Sequence, residues 1–472
     1  MTSSRSTGMM RGRGTAWICW SAAVVLAAVG TLGAGVAMMR REQISLKDLA
    51  GGPLRVVETR AEGLVIDRPE GGGLFVLNPA RRHSQPLRLA LVSWEEIGEG
   101  LEILLVGGDG KMRARPTEKI GGPPHALLYD VEPESLPADP IEVTVWRGSI
   151  RVDGLRVTAR RRPPRRMADF DEVWPTRRAW TESVELLYST WIARLFALPK
   201  KKPGGWRPLH QVTRDPERNF LYGSLGLNED DYREGGLPGV SLWGDCADVP
   251  YMLRAYFAWK MGLPMRLSEC SRGNGKEGPS CYAVRTNLMT DYQGLSDRVA
   301  RFNSFARREI AWVVHSGTTR TLPYDRRSDL YPIAITPRTL IPGVVYVDSG
   351  GHVLVVSDVD GKRITAIDGH PNKSITIRRF SERRYFPVYL TLRTGGFKAF
   401  RPIIQSNRNI VTIPNRDLGK RFSIAQYGFG RRSSYYSFVE RSLEGSDERG
   451  RSPEDLQPLS EALVRLVTWS EG

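Results

Sequence analysis

Cys246 stands in the stretch GDCADVP, residues 244–250, with Asp245 on one side, Asp248 two positions on, and Pro250 close behind. The run that follows, CADVPYMLRAYFAWKMGLP, puts Val249, Leu253, Tyr256 and Phe257 on one helical face, and Gly262 and Pro264 stop it. Proline is tolerated in a helix only near its first turn, where its missing N–H leaves no bond unmade. The helix must therefore begin at or next to Cys246. A thiol at that end sees the positive pole of the helix dipole, which favours the thiolate, the form that attacks carbonyl carbon. Asp245 and Asp248 oppose this where they are ionised nearby, or cap the first N–H groups instead. A cysteine serving only as core filler would sit on the apolar face within the helix; Cys246 is placed at its tip.

A cysteine nucleophile needs a general base within hydrogen-bond reach and a third group to hold that base. Six histidines are available. His83 and His125 fall in a strand-rich region, His210 in the loop before the cysteine, His315 in AWVVHSG, and His352 and His370 bracket a hairpin in SGGHVLVVSDVDGKRITAIDGHP. Two glycines before His352 allow close approach, and it opens the apolar strand VLVV. A three-residue turn at Val359, Asp360 and Gly361 would pair Asp358 with Lys362 and carry the register outward, setting His352 opposite Asp368 on one face. A two-residue turn would shift the pairing by one and send them to opposite faces. His352 is thus the expected base and Asp368 its orienter, with His370 or Asp348 as substitutes.

A cysteine opening a helix, then a histidine opening a strand, then a polar residue on the next strand, resembles the papain-like cysteine hydrolases. DCAD before a helix and GGHVLVV are most similar to the NlpC/P60 cell-wall peptidases, whereas an Asp in third place at this spacing is equally similar to transglutaminase-like proteins. The resemblance covers residues 180–395. It implies an α+β, papain-like catalytic domain with Cys246 as nucleophile, His352 as base and Asp368 as third member, and no cofactor. The sequence departs from it in two places. CADVP lacks the Ser-Gly that follows the NlpC/P60 cysteine, and no glutamine stands shortly before Cys246, so oxyanion stabilisation would fall to backbone N–H groups at the helix start.

The elements that must position these residues can be read around them. Within the 472 residues, Thr15 to Met39 carry no charge and follow Arg5, Arg11 and Arg13, and about 20 apolar residues suffice to span a bilayer. Residues 1–41 read as an N-terminal signal anchor or transmembrane helix, which places the remainder outside the inner membrane. Residues 42–159 show short Val- and Ile-rich runs broken by Gly, Asp and Pro, the pattern of an antiparallel all-β, sandwich-like domain. RRRPPRR at 160–166 reads as a basic, proline-containing linker, 167–440 as the catalytic domain, and 441–472 as a polar tail with a short helix. In 181–198, Val184, Leu187, Trp191 and Leu195 recur at helical spacing. Residues 200–245 form a long irregular approach to Cys246, and ordered loops of that length usually build a site.

A net charge of +16, hydrophobic content of 40% and charged content of 25% describe a globular chain suited to anionic partners. The single dense basic cluster has no interleaved aromatics, which argues against nucleic acid. HExxH, paired CxxC, GxSxG and the phosphate-binding GxxxxGK[ST] are all absent. The sum is an exported, membrane-tethered cysteine hydrolase of amide bonds. Its expected partner is the peptide part of peptidoglycan or another cell-envelope polymer. A transglutaminase-like acyl transferase and a non-catalytic envelope binding protein are the alternatives. Export also bears on the cysteines. Of the four, Cys19 lies in the apolar segment, and Cys270 and Cys281 flank the glycine-rich SRGNGKEGPS. Non-reducing peptide mapping should therefore link Cys270 to Cys281 and leave Cys246 as a free thiol. A Cys246–Cys270 bridge would remove the nucleophile.

Overall fold

The computed structural model divides the chain by contacts into Met1–Pro53 and Leu54–Gly472. It describes residues 65–444, apart from 69–71, 99, 163, 198–204, 232–237, 275–276, 349, 381–393, 428 and 430–431. The expected signal anchor lies outside the described residues. Among the described residues no helix is long and apolar enough to cross a membrane.

The first part of the chain forms two antiparallel sheets. One has the order β1-β2-β3-β7-β6, from Val65–Arg68, Gly72–Val76, Leu87–Ser93, His125–Val131 and Glu118–Ile120; the other is β5-β4-β8-β9, from Gly110–Ala114, Leu101–Gly107, Ile141–Arg147 and Ile150–Val157. Alternation along the strands builds two interfaces from one sheet, because successive side chains point to opposite faces. Leu74, Val76, Leu87, Leu89 and Tyr129 face Ile103, Leu105, Ile141 and Val143 of the second sheet. Their neighbours Phe75, Ala90, Val92 and Leu128 join the core built around helix α1, Glu182–Leu195. That core therefore runs without a break from the first sheet into the rest of the chain. The RRRPPRR segment is tied down at both ends: Arg160 N–H donates to Arg81 O at 2.9 Å, and the Arg166 guanidinium bonds Asp297 and the carbonyl of Pro238.

Helix α1 begins at Thr181, whose hydroxyl accepts from Val184 N–H, and it buries Val184, Leu187, Trp191 and Leu195. Helix α2, Asp248–Met261, is buried along its whole length and ends at Gly262, which takes the left-handed conformation at φ 65°. After the β10–β11 hairpin (Arg266–Cys270, Cys281–Thr286) and helix α3 (Arg298–Phe305), the chain forms a six-stranded antiparallel sheet of order β12-β17-β13-β14-β15-β16. Its strands are Leu330–Pro332, Gly396–Phe400, Val345–Val347, Val353–Asp360, Arg363–Gly369 and Ile375–Arg379. One face, with Val345, Val347, Val353, Val355 and Ile367, joins the core around α1 and α2. The other, with Tyr346, Leu354, Val356 and Phe397, packs on Tyr435, Tyr436 and Val439 of helix α4, Arg432–Leu443.

The expectation of an α+β papain-like catalytic domain is overturned. The described residues form mostly antiparallel sheets with few helices. The helical periodicity around Cys246 and in 181–198 did not extend to its surroundings. Segments rich in Gly, Pro and Asp between the helices form loops, and the Val- and Ile-rich runs after residue 329 pair as strands. The hairpin turn also differs from the three-residue one expected. Asp360 pairs with Arg363, so the turn residues are Gly361 and Lys362, with Gly361 at φ 56° in the first central position, where a type II′ turn calls for glycine. That two-residue turn alone would put His352 and Asp368 on opposite faces. A bulge at Ser357, between Val356 and Asp358, restores the parity, so Asp368 lies directly opposite Leu354. His352, two residues before Leu354, therefore neighbours Asp368 diagonally rather than head-on.

A Cβ at Gly361 would meet nothing within 4 Å, so any penalty there is conformational. Gly361→Val should lower stability by about 1–3 kcal/mol in urea denaturation. The folded fraction should keep its site, because β14 and β15 are held in register by β13 and β16 as well as by the turn.

Candidate active site

The approach to α2 is organised by its two aspartates. Asp245 O accepts from Val249 N–H at 3.1 Å, the first turn of the helix, while Asp245 Oδ1 accepts from Ala247 N–H at 3.1 Å and Asp248 Oδ2 from Asp245 N–H at 2.9 Å. Both side chains thus cap and brace the turn that carries Cys246. Burial, with the charge of Asp245 adding to it, pushes the Asp248 carboxyl up to about 7. Pro250 is the third residue of the helix, where it breaks no bond. Cys246 is half-buried and is a free thiol, whereas Cys270 and Cys281 form a disulfide.

The cysteine reaches the sheet because Gly369, the last residue of β15, has no side chain. A Cβ there would lie 2.9 Å from Val249 Cγ2 and 3.1 Å from the carbonyl oxygen of Asp245. The start of α2 is seated against the end of β15, one residue beyond Asp368. His352 is delivered from the other side by a tight turn. Asp348 N–H donates to His352 O at 2.8 Å, Gly351 N–H to Asp348 O at 2.8 Å, and Gly350 N–H to Asp348 Oδ1 at 3.0 Å. Gly351 takes φ 110°, and a Cβ there would lie 3.1 Å from Ser316 Cβ. Asp348 therefore shapes the turn that presents the imidazole.

The three residues proposed from sequence come together. His352 Nε2 lies 2.7 Å from Asp368 Oδ1, with the imidazole 38% exposed and the carboxylate 4%. Cys246 interacts with the same ring. With Nε2 turned to Asp368, Nδ1 is the nitrogen left to serve the sulfur. Asp368 and then Cys246 push the His352 imidazolium up to about 10, against the effect of burial. For Asp368, burial alone would raise the carboxyl, but His352, Arg378 and His370 outweigh it and hold it below its ordinary value.

Two further groups surround the carboxylate. Arg378 Nε donates to Asp368 Oδ2 at 2.8 Å, and His370 Nε2 lies 3.8 Å from that oxygen while bonding Thr376 Oγ1 at 2.8 Å. His370 therefore flanks the site without replacing Asp368 as the partner of His352. Arg378 was missed in the sequence. The signal for it was the β15–β16 pairing, which places Thr376 opposite Asp368 and Arg378 diagonal to it, and that register cannot be read without the turn geometry at 370–374. The other histidines lie elsewhere. His83 pairs with Asp139 at 3.1 Å, His210 Nδ1 bonds the backbone of Leu242, and His315 caps the helical turn Ser316–Thr319. Among the described residues no group of three or more His, Cys, Asp or Glu is arranged to hold a metal ion.

The raised His352 value has a stability consequence of definite sign. A histidine whose folded-state value exceeds its ordinary 6.5 contributes fully below about pH 6.5 and loses that contribution as pH rises through about 10. The stability difference between the wild type and His352→Gln should therefore shrink across that window in pH-dependent denaturation. NMR titration of the ring should show the high value directly, and Asp368→Asn should lower it. No family model matches the chain, and no curated protein or solved structure matches it.

Proposed function

We propose that this protein is an exported cysteine hydrolase that cleaves an amide bond, with the peptide part of peptidoglycan as its substrate. The observation that carries the proposal is the convergence on His352 of a free thiol at the start of a helix and a buried carboxylate 2.7 Å away. The thiol comes from a position far in the chain from the hairpin that holds His352 and Asp368, and each group has the chemical type its role requires. A buried carboxylate with an exposed-edge imidazole has structural uses too; adding a half-buried thiol to the same ring favours nucleophilic chemistry.

In this reading His352 rests as an imidazolium paired with the Cys246 sulfur. The sulfur attacks the scissile carbonyl, and His352 gives its proton to the leaving amine. The neutral imidazole then takes a proton from water as the water attacks the thioester, which releases the acid and returns the sulfur to its pairing with the imidazolium. Asp368 holds the ring and stabilises its charge throughout. In this reading the Cys246 N–H, which neither aspartate engages, and the positive end of the helix dipole stabilise the developing oxyanion. Support for the substrate comes from the sequence: an uncharged segment behind leading arginines implies export, and the net charge of +16 suits an anionic wall polymer.

Purified peptidoglycan incubated with the protein should gain a new amine terminus detectable by mass spectrometry. The product should be absent with Cys246→Ala and reduced by orders of magnitude with Asp368→Asn, whose fold should be nearly unchanged. Incorporation of an added primary amine in place of water would make the same site an acyl transferase. Intact peptidoglycan together with a wild-type thiol inert to iodoacetamide would overturn the catalytic reading.

A further inference from the structure

We propose that Arg378 is a positioning residue that aims the Asp368 carboxylate at His352; the assignment rests on the hydrolase reading above. The sheet makes this geometry specific. Asp368 lies opposite Leu354 on β14 and Thr376 on β16, with His352 diagonal to it on one side and Arg378 diagonal on the other. The two diagonals run in opposite directions along β15: His352 lies toward residue 370 and Arg378 toward Ala366, its direct partner. The carboxylate is thus drawn from both ends, Oδ1 by His352 at 2.7 Å and Oδ2 by Arg378 at 2.8 Å.

A carboxylate attached to a strand by one flexible Cβ–Cγ bond can rotate, and rotation here would turn Oδ1 away from the imidazole. Arg378 Nε is a directional donor, so it selects one rotamer as well as supplying charge. Asp368 is 4% exposed and needs partners for both oxygens, while Arg378 is 34% exposed, so the guanidinium tolerates solvent and acts as an outer clamp. His370 lies nearer the site but at 3.8 Å from Oδ2, with its Nε2 bonded to Thr376, and it holds the carboxylate less directly. The charge of Arg378 and its orienting effect act on His352 in opposite directions. The guanidinium repels an imidazolium, whereas the aimed Oδ1, 2.7 Å from Nε2, stabilises it, and the proposal is that the second effect prevails.

The test reads two quantities on the full chain: the rate of iodoacetamide alkylation of Cys246 between about pH 5 and 9, and the NMR titration of His352. Arg378→Ala should slow alkylation on the acid side by about 10-fold or more and move the His352 titration downward, with an unchanged circular dichroism spectrum. Arg378→Lys should recover part of both. Because Arg378 acts through Asp368, the double variant Asp368→Asn/Arg378→Ala should alkylate no more slowly than Asp368→Asn alone. A wild-type profile in Arg378→Ala, or an additive loss in the double variant, overturns the proposal. If wild-type Cys246 is inert at every pH, the hydrolase reading fails, and the His352 titration still decides this one: an unmoved or higher value in Arg378→Ala refutes it.

Discussion

A helix with no exposed face has to be covered on every side, and α2 imposes that constraint on this chain. All fourteen of its residues, Asp248 to Met261, are buried, Arg254 and Lys260 included. One side is closed by α1, through the stacked pair Trp191–Tyr256 at 5.6 Å and the edge-on pair Tyr188–Phe257 at 5.2 Å. Another is closed by α3, where Trp259 stacks on Phe302 at 4.3 Å. The six-stranded sheet closes a third, with Val353, Val355 and Ile367 in the same core. The two charges are met where they fall. Arg254 pairs with Glu185 and lies 3.2 Å over the Trp180 ring, and Lys260 pairs with Glu229 and Asp230. Removing one partner of such a buried pair typically costs about 3–5 kcal/mol, because the other is left charged without compensation. The helix is thereby fixed in position and rotation, and so is the turn at its start that carries Cys246.

The sheet does for His352 and Asp368 what the enclosure does for the thiol. A carboxylate on a central strand is held by neighbours on both sides, and its position is a matter of register rather than of loop conformation. The bulge at Ser357 is therefore part of the site although it lies well away from it along the strand. It converts a hairpin whose turn would separate the two residues into one that gathers them on a single face. Glycine finishes the assembly at two places where a side chain would intrude. Gly369 lets the start of α2 meet the sheet, and Gly351 lets the turn before His352 lie against Ser316.

The disulfide reaches the same region through backbone contacts. Cys270 and Cys281 tie the far end of the β10–β11 hairpin, and His315 Nε2 bonds Cys270 O at 2.9 Å while its Nδ1 accepts from Gly317 N–H at 3.0 Å. The helical turn capped in this way carries Ser316, the neighbour of Gly351. One wall of the approach to His352 is thus braced by a cross-link.

Sequence alone determined the features that depend on nearest neighbours and short periods. The start of a helix just after Cys246 followed from Pro250, its end from Gly262, and the buried face of α1 from residues at helical spacing. The odd cysteine followed from the close spacing of the other two. Two glycines and an apolar strand marked His352, whereas Asp368 was reached from a three-residue turn that the structure replaces with a two-residue turn and a bulge. Tertiary structure decided what depends on contacts distant in the chain. Apolar runs after residue 329 carry no label for sheet order, so the mainly antiparallel architecture could not be told from the α+β fold that the Cys246 and His352 motifs suggested. The turn at Gly361–Lys362 and the compensating bulge at Ser357 replace the expected three-residue turn, in a hairpin whose strands also pair with β13 and β16. Arg378 is a surface-type residue ten positions beyond Asp368, and only the β15–β16 register brings its guanidinium to the buried carboxylate.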